Sequence, residues 1–268
     1  MKIENEHLTL VVSAYAAEMH SLVVKGDSKE ILWQGDPAFW AGRNPILFPI
    51  IGSTFDKKIH LFDRIYEMGN HGFARHSEFE FTAATSDSIS LRLKDSEATM
   101  EQYPFHFELD VKYTLIKNKV LIDYEIVNQD EKAMPFSFGL HPAFALDDAD
   151  SAVVSFPCQE QDPIVTANHN LVAMNDAFFA TTPTFLMEYP ASPYVELIRG
   201  DKTIRVSCVG YRWLAFWKKP GAKYLCIEPW HGHTDHGEAT TDFYQREGTI
   251  VLQPRNTYKT SYFIEINS

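Results

Sequence analysis

Phe105-His-Phe-Glu-Leu-Asp-Val-Lys-Tyr-Thr-Leu115 alternates apolar and polar side chains along its whole length. After the turn Lys117-Asn118-Lys119, Val120-Leu-Ile-Asp-Tyr-Glu-Ile126 does the same in return. A period of two puts every second side chain on one face of an extended chain. The pair therefore reads as a long antiparallel hairpin with one buried and one wet face. Asn128-Gln-Asp130 supplies the residues that end it. On the N-terminal side, Phe79 and Phe81, then Ile89, Leu91 and Leu93, repeat the alternation across Thr85-Ser-Asp-Ser88. On the C-terminal side three more strand–turn–strand patterns follow. Val195–Ile198 turns at Gly200-Asp201 into Thr203–Cys208. Trp213–Trp217 turns at Lys219-Pro220-Gly221 into Tyr224–Ile227. Ile250–Leu252 turns at Pro254-Arg-Asn256 into Tyr258–Ile266. The one stretch suited to a short helix is Ser96–Gln102.

Nothing in the chain has the length of the helices that connect parallel strands. Many strands joined by tight turns predict an all-β fold, a large antiparallel sandwich. The 268 residues carry no Gly/Ser-rich linker, charge block or fixed-period repeat, so residues 1–268 are expected to form a single domain. A chain of this size buries close to three quarters of its unfolded surface and needs no staples. The three cysteines, Cys158, Cys208 and Cys226, form no C-x-x-C pair, which argues against a disulfide framework and for a reduced, cytoplasmic setting. The 24 basic and 36 acidic residues leave a net charge of −12, which offers no general attraction to nucleic acid or to an anionic membrane. The N-terminus lacks the apolar core of a secretory signal. Pro45–Ile51, the densest apolar run, is too short to span a bilayer.

Three segments combine an ionisable side chain with backbone-restricting neighbours: Asn70-His-Gly-Phe-Ala-Arg75, Phe138-Gly-Leu-His-Pro-Ala-Phe144 and Cys226-Ile-Glu-Pro-Trp-His-Gly232. Glycine permits close backbone approach, and proline fixes chain direction. Glu228 follows an apolar strand, where desolvation raises a carboxyl pKa towards the range of a general base. The alternative for it is a structural ion pair. His141, set between an apolar run and Pro142, has the titration range of a proton donor near neutrality. His231-Gly-His-Thr-Asp-His236 packs three histidines and an aspartate into six residues. A metal reading is open there, but no complete ligand motif is present, and a solvated polar loop is the simpler expectation. No nucleotide-binding glycine motif and no nucleophile elbow occurs.

Taken in order, Trp33–Pro37, Asn44–Gly52, His71–Arg75, Gly139–Pro142 and Ile227–Trp230 resemble the aldose 1-epimerase (galactose mutarotase-like) superfamily, and most closely its LacX-like branch. The resemblance runs nearly the whole chain. It implies a β-supersandwich, a sugar substrate, and ring opening and closure at the anomeric carbon, with no cofactor and no metal. Glu228 matches the family's base and His141 its acid. His71 matches a second histidine on the sugar, with Arg75, Arg43 and Trp230 as further substrate contacts. Trp230 is equally well read as core packing. Ser53 stands where galactose mutarotases carry an arginine, and no counterpart of their galactose-fixing aspartate is found. His71–Arg75 also looks like the segment of hexose-6-phosphate mutarotases, in which arginines hold a phosphate. A silent carbohydrate-binding module of the same fold is the non-enzymatic alternative. The expected partner is a small sugar, with no nucleic acid and no membrane, on a monomer or homodimer.

Overall fold

In the computed structural model, which describes residues 1–237 and 242–267, the hairpin is the middle of a large antiparallel sheet. Its strands span Phe107–Ile116 and Lys119–Asn128, in register from Ile116↔Lys119 to Phe107↔Asn128. Phe107, Leu109, Val111, Tyr113 and Leu115 are buried, as are Val120, Ile122, Tyr124 and Ile126. Phe105 is buried too but lies before the strand begins. On one flank the sheet continues through Ser88–Lys94 to Glu80–Ala84. On the other it runs through Thr257–Asn267, Lys202–Ser207, Tyr194–Arg199 and Val153–Ser155 to Leu171–Ala173. The outward face carries paired charges: Arg92 Nε lies 2.6 Å from Asp110 Oδ1, and Arg205 Nε 2.6 Å from Glu196 Oε1.

A second antiparallel sheet runs Phe185–Glu188, Trp213–Trp217, Tyr224–His231, Phe138–Leu140, Ile46–Leu47. A further short strand, Ala143–Ala145, also pairs with Tyr224–His231. That central strand is buried from Tyr224 to Trp230, the continuous apolar signature of a strand covered on both sides. Smaller sheets complete the fold: Lys2–Glu4 with Leu8–Val12 and Met19–Val24, and the hairpin Lys58–Leu61/Arg64–Glu67. The two main sheets supply side chains to one apolar core, with Leu109, Ile122 and Ile264 from the first and Phe138, Phe216 and Ile227 from the second.

Two expectations need correction. Ile250–Leu252 does not pair with Thr257–Asn267; it pairs with Met134–Phe136, and the turn between them only redirects the chain. Both segments form strands, but a turn signal does not say which partner the chain turns towards. The helix foreseen at Ser96–Gln102 forms over Glu97–Gln102 with a reciprocal Ser96/Thr99 capping box. Two more short helices, Pro163–Ala167 and Asp176–Thr181, had not been foreseen. Each is announced by a single cap: Asp162, whose side chain accepts the Ile164 and Val165 N–H groups, and Asn175, which accepts that of Phe178. No helix among the described residues is long and apolar enough to cross a membrane.

Candidate active site

His141 and Glu228 meet because of strand register. Gly139 pairs with Trp230, and Ala143 with Cys226, so the intervening His141 falls opposite Glu228. The His141-Pro142 step lies between the short strands Phe138–Leu140 and Ala143–Ala145, which share one partner strand. Proline has no N–H to give to a ladder; its carbonyl still accepts the Ile227 N–H at 3.1 Å. The result is a gap in the sheet filled by two side chains. His141 Nδ1 stands 3.3 Å from Glu228 Oε2. Both atoms are buried and neither has a hydrogen-bond partner among the described residues. Gly139 is needed beside them, since a Cβ there would lie 2.6 Å from Trp230 Cδ1.

The pair forms part of the floor of a cavity of about 440 Å³, within the size range of small-molecule sites. Burial drives the Glu228 carboxyl well above its ordinary pKa, with the Arg75 charge and the Trp230 indole drawing it partly back. Burial also drives His141 well below its own, reinforced by His71 and Arg75. Both shifts favour neutral forms. The pair therefore prefers one shared proton to a desolvated ion pair.

His71 adopts φ +64° at the end of the loop that follows the Lys58–Glu67 hairpin. Its backbone N–H donates to the Gly52 carbonyl at 2.7 Å, and Gly52 N–H donates to its Nδ1 at 3.0 Å. The second bond makes Nδ1 an acceptor, so the ring proton resides on Nε2. Burial, with help from Arg75, lowers the His71 pKa to about 3, and the ring is a neutral donor. Gly72 sits at φ +71°, where a Cβ would collide with the Phe48 carbonyl; this close approach seats His71 against the sheet. Arg75, on the short turn Ala74–His76, lines the cavity. Its guanidinium has no hydrogen-bond or ion-pair partner among the described residues.

The other candidates divide. Trp230 lines the cavity while its indole N–H donates to the Leu140 carbonyl at 3.1 Å, so it serves as wall and packing together. Arg43 does not reach the cavity: its guanidinium donates to the Gln34 carbonyl at 2.8 Å and lies over Gly35. The His231–His236 segment is no ligand cluster. His231 leaves towards Tyr211 and stacks on it at 4.8 Å. Asp235 pairs with Arg246 at 2.9 Å, and both side chains are buried. His233 Nε2 meets Glu247 at 3.2 Å. It is a polar loop with Thr234 and His236 exposed, fastened from beneath by Arg246, and His233 and His236 line the cavity. Sequence reasoning missed Trp40, which stacks on the His141 ring at 4.7 Å, and Lys219 at the rim. The Trp40 segment, Pro37-Ala-Phe-Trp40, has no periodicity to give it a face.

Comparison with known proteins follows the same lines. The family model for aldose 1-epimerase matches residues 1–186, a span that includes His71 and His141 but ends before Glu228. Protein LacX (chromosomal) of Lactococcus lactis subsp. lactis is 27% identical over 296 aligned residues, covering 99% of each chain. Among solved structures, a galactose mutarotase related enzyme of Lactobacillus acidophilus is similar at TM-score 0.91 and 27% identity, covering 100% of this chain and 97% of that one. A galactose mutarotase-like protein of Lactobacillus casei ATCC 334 shares the fold at TM-score 0.93 and 24% identity, over 100% and 99% of the two chains.

Proposed function

The chain belongs to the aldose 1-epimerase family, and from that premise we propose that it interconverts the α and β anomers of a free aldohexose. One observation carries the reading. The only imidazole–carboxyl contact among the described residues in which both side chains are nearly inaccessible lies on the floor of a sugar-sized cavity. In the proposed reaction the single proton of the pair stands on His141 when substrate is bound, and the Glu228 carboxylate takes the proton from the anomeric hydroxyl. The C1–O1 bond becomes a carbonyl, the bond from C1 to the ring oxygen breaks, and His141 delivers a proton to that oxygen. Rotation about C1–C2 presents the other face of the aldehyde, and the steps reverse. The proton on Glu228 and the vacancy on His141 are what the return needs, so the pair is restored each turn. His71 Nε2–H and the Arg75 guanidinium are donors to substrate oxygens. Trp40 and Trp230 offer faces to the apolar side of a pyranose.

A second reading has its own support. Arg75 and Lys219 line the same cavity, and neither has an ion-pair partner among the described residues. Two uncommitted cations suit a sugar that carries a phosphate. Arg43, committed to Gln34, plays no part in that reading. The test of both is to follow the optical rotation of fresh α-glucose and α-galactose with and without the protein, with the 6-phosphates in parallel by NMR. Faster equilibration that Glu228→Gln abolishes supports the proposal, and the preferred sugar separates the two readings. Binding without acceleration would replace both with a carbohydrate-binding module.

A further inference from the structure

The face of the central strand that carries Glu228 carries two more titratable groups, Tyr224 and Cys226, of which the thiol is the nearer along the strand. Cys226 stands two residues earlier, so the pleat turns both side chains the same way. Opposite it is the small Ala143. One ligand atom from each of His141, Cys226 and Glu228 lies within 4.8 Å of the other two, and all three side chains are buried. The proton transfer proposed above uses the histidine and the glutamate and gives the thiol nothing to do.

Two donors bound to one tetrahedral zinc at about 2.1 Å stand about 3.4 Å apart. His141 Nδ1 and Glu228 Oε2 already stand 3.3 Å apart, both without a hydrogen-bond partner among the described residues. Imidazole nitrogen, thiolate sulfur and carboxylate oxygen together suit zinc or cadmium, not magnesium or calcium. A dication held by one thiolate and one carboxylate is neutral overall, which a desolvated position tolerates better than a lone charge. We propose that His141, Cys226 and Glu228 form a three-donor site for a soft divalent cation of the zinc class. The ion enters through the cavity and leaves its fourth position facing it. Binding releases two protons to solvent, that of the thiol and the one shared by His141 and Glu228, and engages the lone pairs of both side chains. The occupied protein then has neither acid nor base. This inhibitory consequence rests on the mutarotase reading; the site itself does not.

The test titrates the full-length chain, freed of metal by chelation and dialysis, with Cd²⁺ alone, and follows the thiolate-to-cadmium band in the ultraviolet. One ion per chain is expected. Affinity is expected to fall at least about tenfold in Cys226→Ser and likewise in Glu228→Gln, which retains the shape of the site should the serine variant fold poorly. Cys158→Ala, which removes the half-exposed thiol, leaves the band unchanged; Cys208 already donates its thiol to the Ser192 carbonyl. No saturable band, a band that survives Cys226→Ser, or one that follows Cys158 overturns the site. In parallel, Zn²⁺ is added during anomer equilibration, each variant being compared with its own metal-free rate. Inhibition that tracks occupancy is expected, and a filled site with an unchanged rate overturns the inhibitory claim. A cadmium band in a protein that accelerates no sugar leaves the site standing and removes the mutarotase reading.

Discussion

The outward face of the large sheet and the cavity floor of the smaller one treat charge in opposite ways. On the large sheet, Arg92 reaches Asp110 and Glu108, Arg205 reaches Glu196 and Glu265, and Lys259 reaches Glu125. Every one of these side chains is partly exposed, so water already screens what the partner neutralises. On the cavity floor Glu228 and His141 are nearly inaccessible, and their facing atoms have no hydrogen-bond partner among the described residues. Many charges in the first region do little more than keep a sheet face wet. Two groups in the second are held in the protonation states that burial selects. The lesson is that the number of ionisable residues says nothing about where chemistry resides; the absence of a partner does.

The sharpest way to break this comparison is to mutate the unpartnered pair. Glu228→Gln is expected to lower kcat for anomer exchange by about 10³-fold and His141→Asn by about 10²-fold or more, both measured by polarimetry on protein with native circular dichroism. Loss of less than about tenfold in both would show that the cavity floor is as inert as the outer sheet face. The next effect is a displaced pH profile. The proposed chemistry needs one proton on the pair, so rate falls in acid as His141 takes a second and in alkali as Glu228 gives up the first. Arg75 lowers the pKa of both groups. Arg75→Leu is therefore expected to move both limbs of kcat/KM to higher pH, and a shift downwards or of one limb alone would contradict the arrangement.

A smaller contrast lies in the acid stability of two histidines. Folded His71 resists protonation to about pH 3, whereas an unfolded one accepts a proton near pH 6.5. Its contribution is complete above that value and is lost as pH falls through the window between the two. His106, exposed just before the strand Phe107–Ile116, is raised by its hydrogen bond to Asp95, and its contribution is lost as pH rises instead. Thermal melts across that range should flatten on the acid side for His71→Gln and weaken at low pH for His106→Gln. The smallest effect belongs to the outer face: Arg92→Ala is expected to cost less than about 1 kcal/mol in denaturant unfolding and to leave the anomer-exchange rate unchanged.

Much of this was legible from alternation alone. The hairpin over residues 105–126 follows from a period of two, which side-chain burial enforces, and Trp213–Trp217 from a short apolar run closed by a turn. Partner choice was not legible, and Ile250–Leu252 is the clear case, since its partner lies more than a hundred residues away at Met134–Phe136. In the site, His141 and Glu228 each stand between an apolar run and a proline, while His71, Arg75 and Trp230 could be named through the ordered set of motifs that carries the family resemblance. Arg43 was drawn in by charge and motif proximity, yet its guanidinium is used on the Gln34 carbonyl. Trp40 reaches the site only through a loop whose path no local pattern specifies. The Asp235–Arg246 pair was hidden because its two halves sit in a polar stretch that composition alone reads as wet.

The shared register of Gly139 with Trp230 and of Ala143 with Cys226 has a consequence for how this chain can vary. Between Ala145 and Tyr224 lies a long excursion through helices, turns and strands of both main sheets, and the length of its loops does not enter the spacing of His141 from Glu228. Insertions and deletions there are neutral to the pair so long as the flanking strands return to their places. One residue lost between Gly139 and Ala143 is another matter, because a single step along a pleated strand exchanges its two faces. The molecule thus tolerates drift in most of its loops and almost none in a five-residue segment, and libraries meant to alter its substrate range should be written accordingly.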